Sequence, residues 1–267
     1  MDIARAKYNS APIITLFGHE GRGKSTLAAK FKSPIAMLLE RGLPRGVELD
    51  EITGLKMFED VMGALRELYT DPRGYETLIV DTLDSLEMLL LAYVCRDNGW
   101  PNIEKPAYGK GFVIADKEWQ RFLRAITAIR DRHRMTIVMT CHAVIETISD
   151  PRTPSYTSYS PKLHKRARGL VMDASDIVAF LSEDLRITTD DNGRVRASAG
   201  LQRHLFCVGQ PAFAAKNRFG MPDKIPVPIN FDIRELTKYW TGSEEQPGDG
   251  SSPPSNSVSS TYSNHQP

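Results

Sequence analysis

The chain has 267 residues, with 34 Lys and Arg against 33 Asp and Glu, and 41% of its residues are hydrophobic. This composition is typical of a globular protein, so it excludes a wholly disordered chain, a collagen-like repeat and a small disulfide scaffold. The net charge of +1 predicts no general attraction to nucleic acid or membrane, so any such attraction depends on local clusters of charge.

The apolar stretches and the cysteines indicate the setting of the protein. No apolar stretch approaches the length that crosses a bilayer, and residues 1–10 contain no apolar signal region. The cysteines Cys95, Cys141 and Cys207 lie far apart and form no CxxC pair, which argues against a zinc site or a disulfide framework. We therefore expect a reduced, cytoplasmic setting without a membrane partner.

Short apolar segments alternate with segments of helical periodicity along the chain. The predicted strands are Pro12–Phe17, Pro34–Leu39, Thr77–Val80, Thr136–Thr140, Asp176–Leu181 and Leu205–Val208, and the predicted helices are Lys24–Phe31, Met57–Tyr69, Leu83–Cys95 and Asp116–Arg132. This alternation predicts an α/β fold, in which helices cover both faces of a mostly parallel, twisted sheet.

The domain organisation follows from composition. We expect a lead-in at residues 1–10, one domain at 11–240, and a disordered tail at 241–267 that is too rich in Ser, Pro and Gly to form a core. Within the domain, Asp190–Gly193 is predicted to form a hairpin turn between two short strands.

The strongest motif follows the first predicted strand. Residues 18–25 read GHEGRGKS and fit the pattern G-x-x-x-x-G-K-[ST], which predicts binding of ATP with Mg²⁺. The glycines let backbone N–H groups face the phosphates, Lys24 reaches the β- and γ-phosphates, and the Ser25 hydroxyl ligates Mg²⁺. The predicted nucleotide-binding residues are Gly18, His19, Glu20, Gly21, Arg22, Gly23, Lys24, Ser25, Thr26 and Asp81.

Three further side chains follow predicted strands and are expected at the same edge of the sheet. Asp81 is predicted to hold Mg²⁺, Glu40 to activate the attacking water, and His142 to bind the γ-phosphate. Each has an alternative: a helix cap for Asp81, an ordinary loop acid for Glu40, and a capped strand end for His142.

A basic segment between Pro151 and Met172 contains five Lys or Arg residues and no acid. Cations interleaved with aromatic residues are typical of single-strand DNA binding, in which Lys and Arg contact phosphates and tyrosines stack on bases. The alternative is a solvated basic loop. The predicted DNA-binding residues are Arg152, Tyr156, Tyr159, Lys162, Lys165, Arg166 and Arg168, with a second candidate loop at Lys105, Tyr108 and Lys110.

A pair of cations, Lys216 and Arg218, lies late in the chain. In an extended segment, side chains at i and i+2 point the same way. We interpret the pair as reaching into the nucleotide site of a neighbouring subunit, where it would neutralise charge on the γ-phosphate. The alternative is a polar hairpin tip.

In this order, these motifs resemble the RecA-like ATPase core over Ala11–Tyr239, and most closely the phage-encoded core-only members that anneal single strands. The resemblance implies an ATP-dependent, single-stranded-DNA-binding ATPase that promotes annealing or homologous recombination in the cytoplasm of an infected host. It implies a homo-oligomer, either filament or ring, and a single-strand-binding protein as partner. Glu40 matches the water-activating glutamate and Asp81 the Mg²⁺-linked aspartate, whereas His142 replaces the γ-phosphate-sensing glutamine of bacterial RecA. Lys216 and Arg218 match the cations inserted across the subunit interface.

Two other functions remain open at this point. A replicative helicase or helicase loader shares the same core residues and a similar late Lys-x-Arg pair. A small-molecule kinase or GTPase is disfavoured, because the guanine-reading motif [NT]-K-x-D is absent and the basic segment has no role there.

Overall fold

The computed structural model describes residues 10–40, 42–189 and 195–241, with backbone alone at 184–189 and 195–201. The predicted lead-in up to residue 9, the predicted tail from residue 242 and the predicted turn Asp190–Gly193 lie outside the described residues. None of the helices in the described residues combines the length and apolar character that crossing a bilayer requires.

Helices and strands alternate through most of the described chain. The helices are α1 (Lys24–Ala28), α2 (Phe58–Thr70), α3 (Leu83–Asp97), α4 (Lys110–His133), α5 (Lys165–Ala174) and α6 (Arg234–Thr241). The strands are β1 (Ile13–Gly18), β2 (Pro34–Leu38), β3 (Asp50–Glu51), β4 (Thr77–Asp81), β5 (Thr136–Ile148), β6 (Tyr156–Pro161), β7 (Ile177–Thr189), β8 (Val195–Phe206), β9 (Lys216–Asn217) and β10 (Lys224–Pro226).

The strands form a sheet in the order β3-β2-β4-β5-β1-β7-β8-β10. Neighbouring strands are parallel from β3 through β2, β4, β5 and β1 to β7. At the other end of the sheet, β8 pairs antiparallel with β7, and β10 pairs antiparallel with β8. We call the side where β1 and β4 end the carboxyl edge, and the side where they begin the amino edge. The predicted mostly parallel α/β sheet is confirmed.

Helices cover both faces of this sheet, because neighbouring strand residues point to opposite sides. Phe17 faces the side covered by α2, α3, α4 and α5, where Trp119 is buried. Leu16 faces the other side and packs with Leu27 of α1 and Leu236 of α6. The strands are therefore apolar almost throughout, as the sequence predicts.

Several predicted boundaries are wrong. Strand β5 does not end at Thr140 but continues to Ile148. From Ala143 onward it leaves the main sheet and pairs with β6 as an antiparallel hairpin. Strand β8 begins at Val195, ten residues before the predicted start. The part of β5 after His142 is less buried than the part before it, because it pairs with β6 outside the main sheet.

A buried carboxylate joins three elements at the amino edge. Asp176 precedes β7, is 1% exposed, and accepts a hydrogen bond from the Ile13 backbone N–H at 2.9 Å. Its oxygens also lie 3.5 Å from Arg130 Nη1 and 3.2 Å from Arg218 Nη1. Asp176 thus ties β1, α4 and the segment after β9 together.

We expect Asp176→Ala to lower the free energy of unfolding by about 3–5 kcal/mol, because it leaves the largely covered Arg130 guanidinium and the Ile13 N–H without this partner. Urea denaturation followed by fluorescence measures the change.

Asp131→Ala is the matched control. Asp131 pairs with the same Arg130 at 2.8 Å, but its side chain is 52% exposed, so its removal should cost less than about 1 kcal/mol. Equal losses in the two variants would contradict the structural role of Asp176.

Candidate nucleotide-binding and hydrolysis site

The glycine-rich turn after β1 is shaped by close backbone approaches. Gly21 and Gly23 have positive φ angles of 70° and 86°, a region that favours glycine. A Cβ on Gly18 would lie 2.3 Å from the Leu181 carbonyl oxygen, so the turn starts tight against β7. The residues present therefore fit a loop whose backbone N–H groups cradle phosphates.

Lys24 is 6% exposed and lies inside this turn. Its ammonium donates to the carbonyl oxygens of Gly18 and His19, both at 3.0 Å. Burial lowers the pKa of Lys24, although the acidic groups nearby, including Asp81 and Glu40, oppose that shift. Within the part of the chain that the structure describes, the hydrogen bonds of this buried cation go to carbonyl oxygens, which fits a binding site for an anionic phosphate chain.

Strand pairing brings the predicted acids to the same place. Leu38 pairs with Asp81 in the β2–β4 register, so Glu40 follows β2 beside the end of β4. Asp81 is 7% exposed and accepts a hydrogen bond from the Thr140 hydroxyl. The alternative role of Asp81 as a helix cap is wrong, because Thr82 caps α3 by accepting from the Ser85 N–H.

A cavity of about 390 Å³ joins these groups at the carboxyl edge. Its lining includes the Ser25 hydroxyl and the Asp81 carboxylate, oxygen ligands of the kind that Mg²⁺ prefers. Bound Mg²⁺ would polarise the phosphate oxygens, and Ser25 and Asp81 are the residues that would hold it. The cavity brings together Glu20, Gly21, Gly23, Lys24, Ser25, Thr26, Glu40, Asp81, His142 and Arg203.

Comparison with known proteins agrees with this geometry. Residues 10–219 match the family described as "AAA domain". The chain belongs to this family of P-loop ATPases. Within the AAA domain, the phosphate loop and the acids at the carboxyl edge are the expected place for nucleotide binding and hydrolysis.

A relative of this AAA domain is the "SPbeta prophage-derived uncharacterized protein YorG" of Bacillus subtilis (strain 168). The two are 26% identical over 201 residues, which is 73% of this chain. The match spans 58% of the relative's length, so the relative contains further sequence outside it.

His142 lies between the phosphate loop and Asp81, because β5 pairs with both β1 and β4. It is aligned with Gly18 and belongs to a continuing strand, so its alternative role at a capped strand end is wrong. Its Nε2 lies 3.9 Å from Glu40 Oε2. Glu40 is half-exposed, which leaves it open to water in the cavity.

Asp84 on α3 orients this histidine, and sequence reasoning missed it. The Asp84 carboxylate accepts from His142 Nδ1 at 2.8 Å and from the His142 backbone N–H at 3.1 Å. Burial alone would raise the pKa of Asp84, but the His142 hydrogen bonds outweigh it and hold that pKa below its usual value. With Nδ1 bonded to Asp84, the ring is held with Nε2 toward Glu40, in the cavity that both residues line.

Arg203 on β8 is a second cavity residue that the sequence did not reveal. Its Nη1 donates to the Arg22 carbonyl oxygen at 3.2 Å. A Cβ on Gly23 would lie 2.2 Å from the same nitrogen, so Gly23 leaves room for the guanidinium. Only the antiparallel pairing of β8 with β7 brings residue 203 to the phosphate loop, and a single sequence gives no signal for it.

The predicted basic loop is in fact β6 and α5. Apolar residues at helical spacing, Leu163, Ala167 and Val171, are buried and anchor α5, a pattern that the intervening cations hide. Most of the basic segment is therefore regular secondary structure and not a loop, although the role of its residues in DNA binding stays a prediction.

Three of the five cations in this segment have carboxylate partners from outside it. Arg152 pairs with Asp150 at 2.8 Å, Arg166 with Asp116 at 2.5 Å, and Arg168 with Glu146 at 2.7 Å. Lys162 and Lys165 are exposed, and Tyr156 is half-buried on β6. Tyr159 is partly covered, because its ring packs against His19 of the phosphate loop and against Phe180, with ring centroids 5.0 and 5.2 Å apart.

Lys216 and Arg218 lie at the amino edge, because β9 pairs with the first residues of β7. Lys216 donates to the carbonyl oxygens of Met172 and Asp173 at the end of α5. The alternative of a hairpin tip is wrong, since Lys216 lies in a strand. The pair is about four strand residues, or roughly 13 Å, from the level of its own phosphate loop, and neither residue lines the nucleotide cavity of its own chain.

We expect Asp84→Asn to lower kcat for ATP hydrolysis about 10- to 100-fold, because His142 loses the carboxylate that fixes its orientation. The affinity for ADP should change little, since Asp84 lies behind the histidine. Steady-state hydrolysis and ADP titration measure the two effects.

Asp97→Asn provides the control, because Asp97 is an exposed acid at the far end of the same helix. A rise in KM with unchanged kcat in Asp84→Asn would show that the aspartate contributes to binding instead of positioning.

Proposed function

We propose that this AAA domain is a Mg²⁺-dependent ATPase that binds single-stranded DNA and promotes annealing or homologous recombination in a phage. The observation that carries the proposal is the continuity of β5. This strand contributes His142 to the nucleotide cavity and then forms the hairpin with β6.

The hairpin contacts the nucleotide site at two further points. The Lys162 backbone N–H donates to the His142 carbonyl oxygen at 2.8 Å. Tyr159 packs edge-on against His19 of the phosphate loop. A change in the loop or in His142 on hydrolysis would therefore move the residues that follow β6, which supports coupling between nucleotide state and DNA binding.

A set of exposed residues near these contacts has the chemistry that a single strand requires. The N-terminal parts of α4 and α5 lie side by side, since Phe112 stacks on His164 with ring centroids 3.8 Å apart. Lysines would contact phosphates, and Tyr108, which is 99% exposed, would stack on a base. We call this set the cationic surface: Lys105, Tyr108, Lys110, Lys162 and Lys165.

The phage setting rests on the prophage origin of the relative. The oligomer, a filament or ring, rests on the position of Lys216 and Arg218 at the amino edge. That position suits cations that complete the nucleotide site of the next subunit. A single-strand-binding protein as partner, and the host cytoplasm as location, follow from the resemblance alone.

A ring helicase or helicase loader is the second candidate, because cations placed for a neighbouring subunit serve a motor equally well. ATP-dependent unwinding of a duplex would favour this candidate, whereas joining of complementary single strands would favour the annealing protein.

We expect the protein to bind a labelled single strand more tightly with a non-hydrolysable ATP analogue than with ADP, and DNA to stimulate ATP turnover. Lys162→Ala/Lys165→Ala should weaken binding and lower the slope of log affinity against log salt by about 1.4, because two phosphate contacts are lost. Fluorescence anisotropy across a salt series measures both.

Lys56→Ala/Lys238→Ala removes the same charge from exposed positions outside the cationic surface and should leave the slope unchanged. Equal effects of the two double variants, or no dependence on nucleotide in the wild type, would contradict the proposal.

Mixing two inactive variants tests the neighbouring cations. Arg218→Gln keeps its own cavity intact, and Glu40→Gln keeps its Arg218, so we expect the mixture to recover part of the hydrolysis that each variant lacks. ATP turnover against mixing ratio measures the recovery, and a mixture no more active than its components would contradict action across an interface.

A further inference from the structure

Arg203 forms one wall of the nucleotide cavity, and none of the motifs accounts for it. Glu40, which follows β2, and His142, within β5, line the same cavity. Arg203 instead enters from β8, where its guanidinium lies against Gly23 and donates to the Arg22 carbonyl oxygen. Arg203 therefore lines the cavity beside Gly23, the residue before α1, whereas Glu40 and His142 line it from other strands of the sheet.

The side chains around Arg203 leave its charge available. Its cross-strand neighbour is Glu183, but the Glu183 carboxylate binds Arg22 at 2.5 Å. Among the side chains that the structure describes, no carboxylate pairs with Arg203, whose hydrogen bond goes to the Arg22 carbonyl oxygen. A guanidinium has five N–H donors, so donors remain for an anion in the cavity.

The position of Arg203 determines which phosphates of a bound nucleotide it would contact. In a phosphate loop of this pattern, the backbone N–H groups hold the α- and β-phosphates, whereas the lysine reaches on to the β- and γ-phosphates. Arg203 lies against Gly23 and donates to the Arg22 carbonyl oxygen, within the stretch of backbone whose N–H groups hold the phosphates that are retained in ADP.

We propose that Arg203 binds the α- and β-phosphates of the nucleotide in the same subunit, as a clamp that closes over the phosphate loop from β8. This inference rests on the ATPase activity of the proposed function and adds a binding residue to it. Because these phosphates are present before and after hydrolysis, the contact strengthens ATP and ADP binding alike and contributes little to the chemical step.

Arg203→Ala should raise the dissociation constant of ADP and the KM for ATP by similar factors of about 10 to 100, the range for a hydrogen bond to a charged group. The turnover number should stay within about threefold of wild type, the behaviour expected when uniform binding is removed. Arg203→Lys should recover part of the affinity, because it keeps the charge and loses the forked geometry.

Titration with fluorescent ADP and steady-state hydrolysis, both without DNA, measure these effects in the full chain. Gln202→Ala is the matched control, since Gln202 precedes Arg203 on β8 and is exposed. It should match wild type in both assays. The unfolding temperature of each nucleotide-free variant is measured in parallel.

Two results would overturn the proposal. The first is a fall in turnover with unchanged ADP affinity, which would assign Arg203 to the transferred phosphate. The second is a lower unfolding temperature of nucleotide-free Arg203→Ala, together with a loss of ADP affinity that Arg203→Lys does not recover. That result would show that Arg203 stabilises the conformation of the phosphate loop and does not bind the nucleotide itself. Since wild-type ADP binding is the baseline, a failure of DNA binding leaves this test intact.

Discussion

The register of four parallel strands, β2, β4, β5 and β1, determines where the candidate site of this protein lies. Gly18 pairs with His142, and Leu38 pairs with Asp81, so the phosphate loop, the histidine and both acids end at one level of the sheet. A slip of one residue would turn each strand residue to the other face. Leu16 and Phe17 pack into different cores on the two faces, so the slip would put each of them among the wrong neighbours. The packing that holds the sheet together therefore also aligns the site.

The same strand that aligns His142 carries the structure beyond the sheet. Asp84 fixes the imidazole from α3, and the β5–β6 hairpin begins at the next residue. Nucleotide site and hairpin therefore share a continuous backbone, and the Tyr159–His19 contact adds a second link. Because the two regions are joined directly, a change at the phosphate loop or at His142 would reach the β5–β6 hairpin through few residues.

The sequence predicts the parts of this molecule whose signals are local. The phosphate loop is a contiguous motif, and Asp81, Glu40 and His142 each come directly after an apolar run in the sequence, so the structure brings them together as expected. Asp84 and Arg203 were missed because their roles depend on pairing across elements. The partners of Arg166 and Arg168 were missed for the same reason: Asp116 and Glu146 lie outside the basic segment, and only the fold neutralises its charge.

The strands at the two ends of the sheet are short. The terminal strand β3 has two residues, both exposed acids, and β10 has three residues, the last of them a proline without an N–H to donate. Short, charged or proline-bearing borders offer a poor template for strand addition. Within the described residues, these two ends of the sheet therefore give a strand from another copy few backbone groups with which to pair.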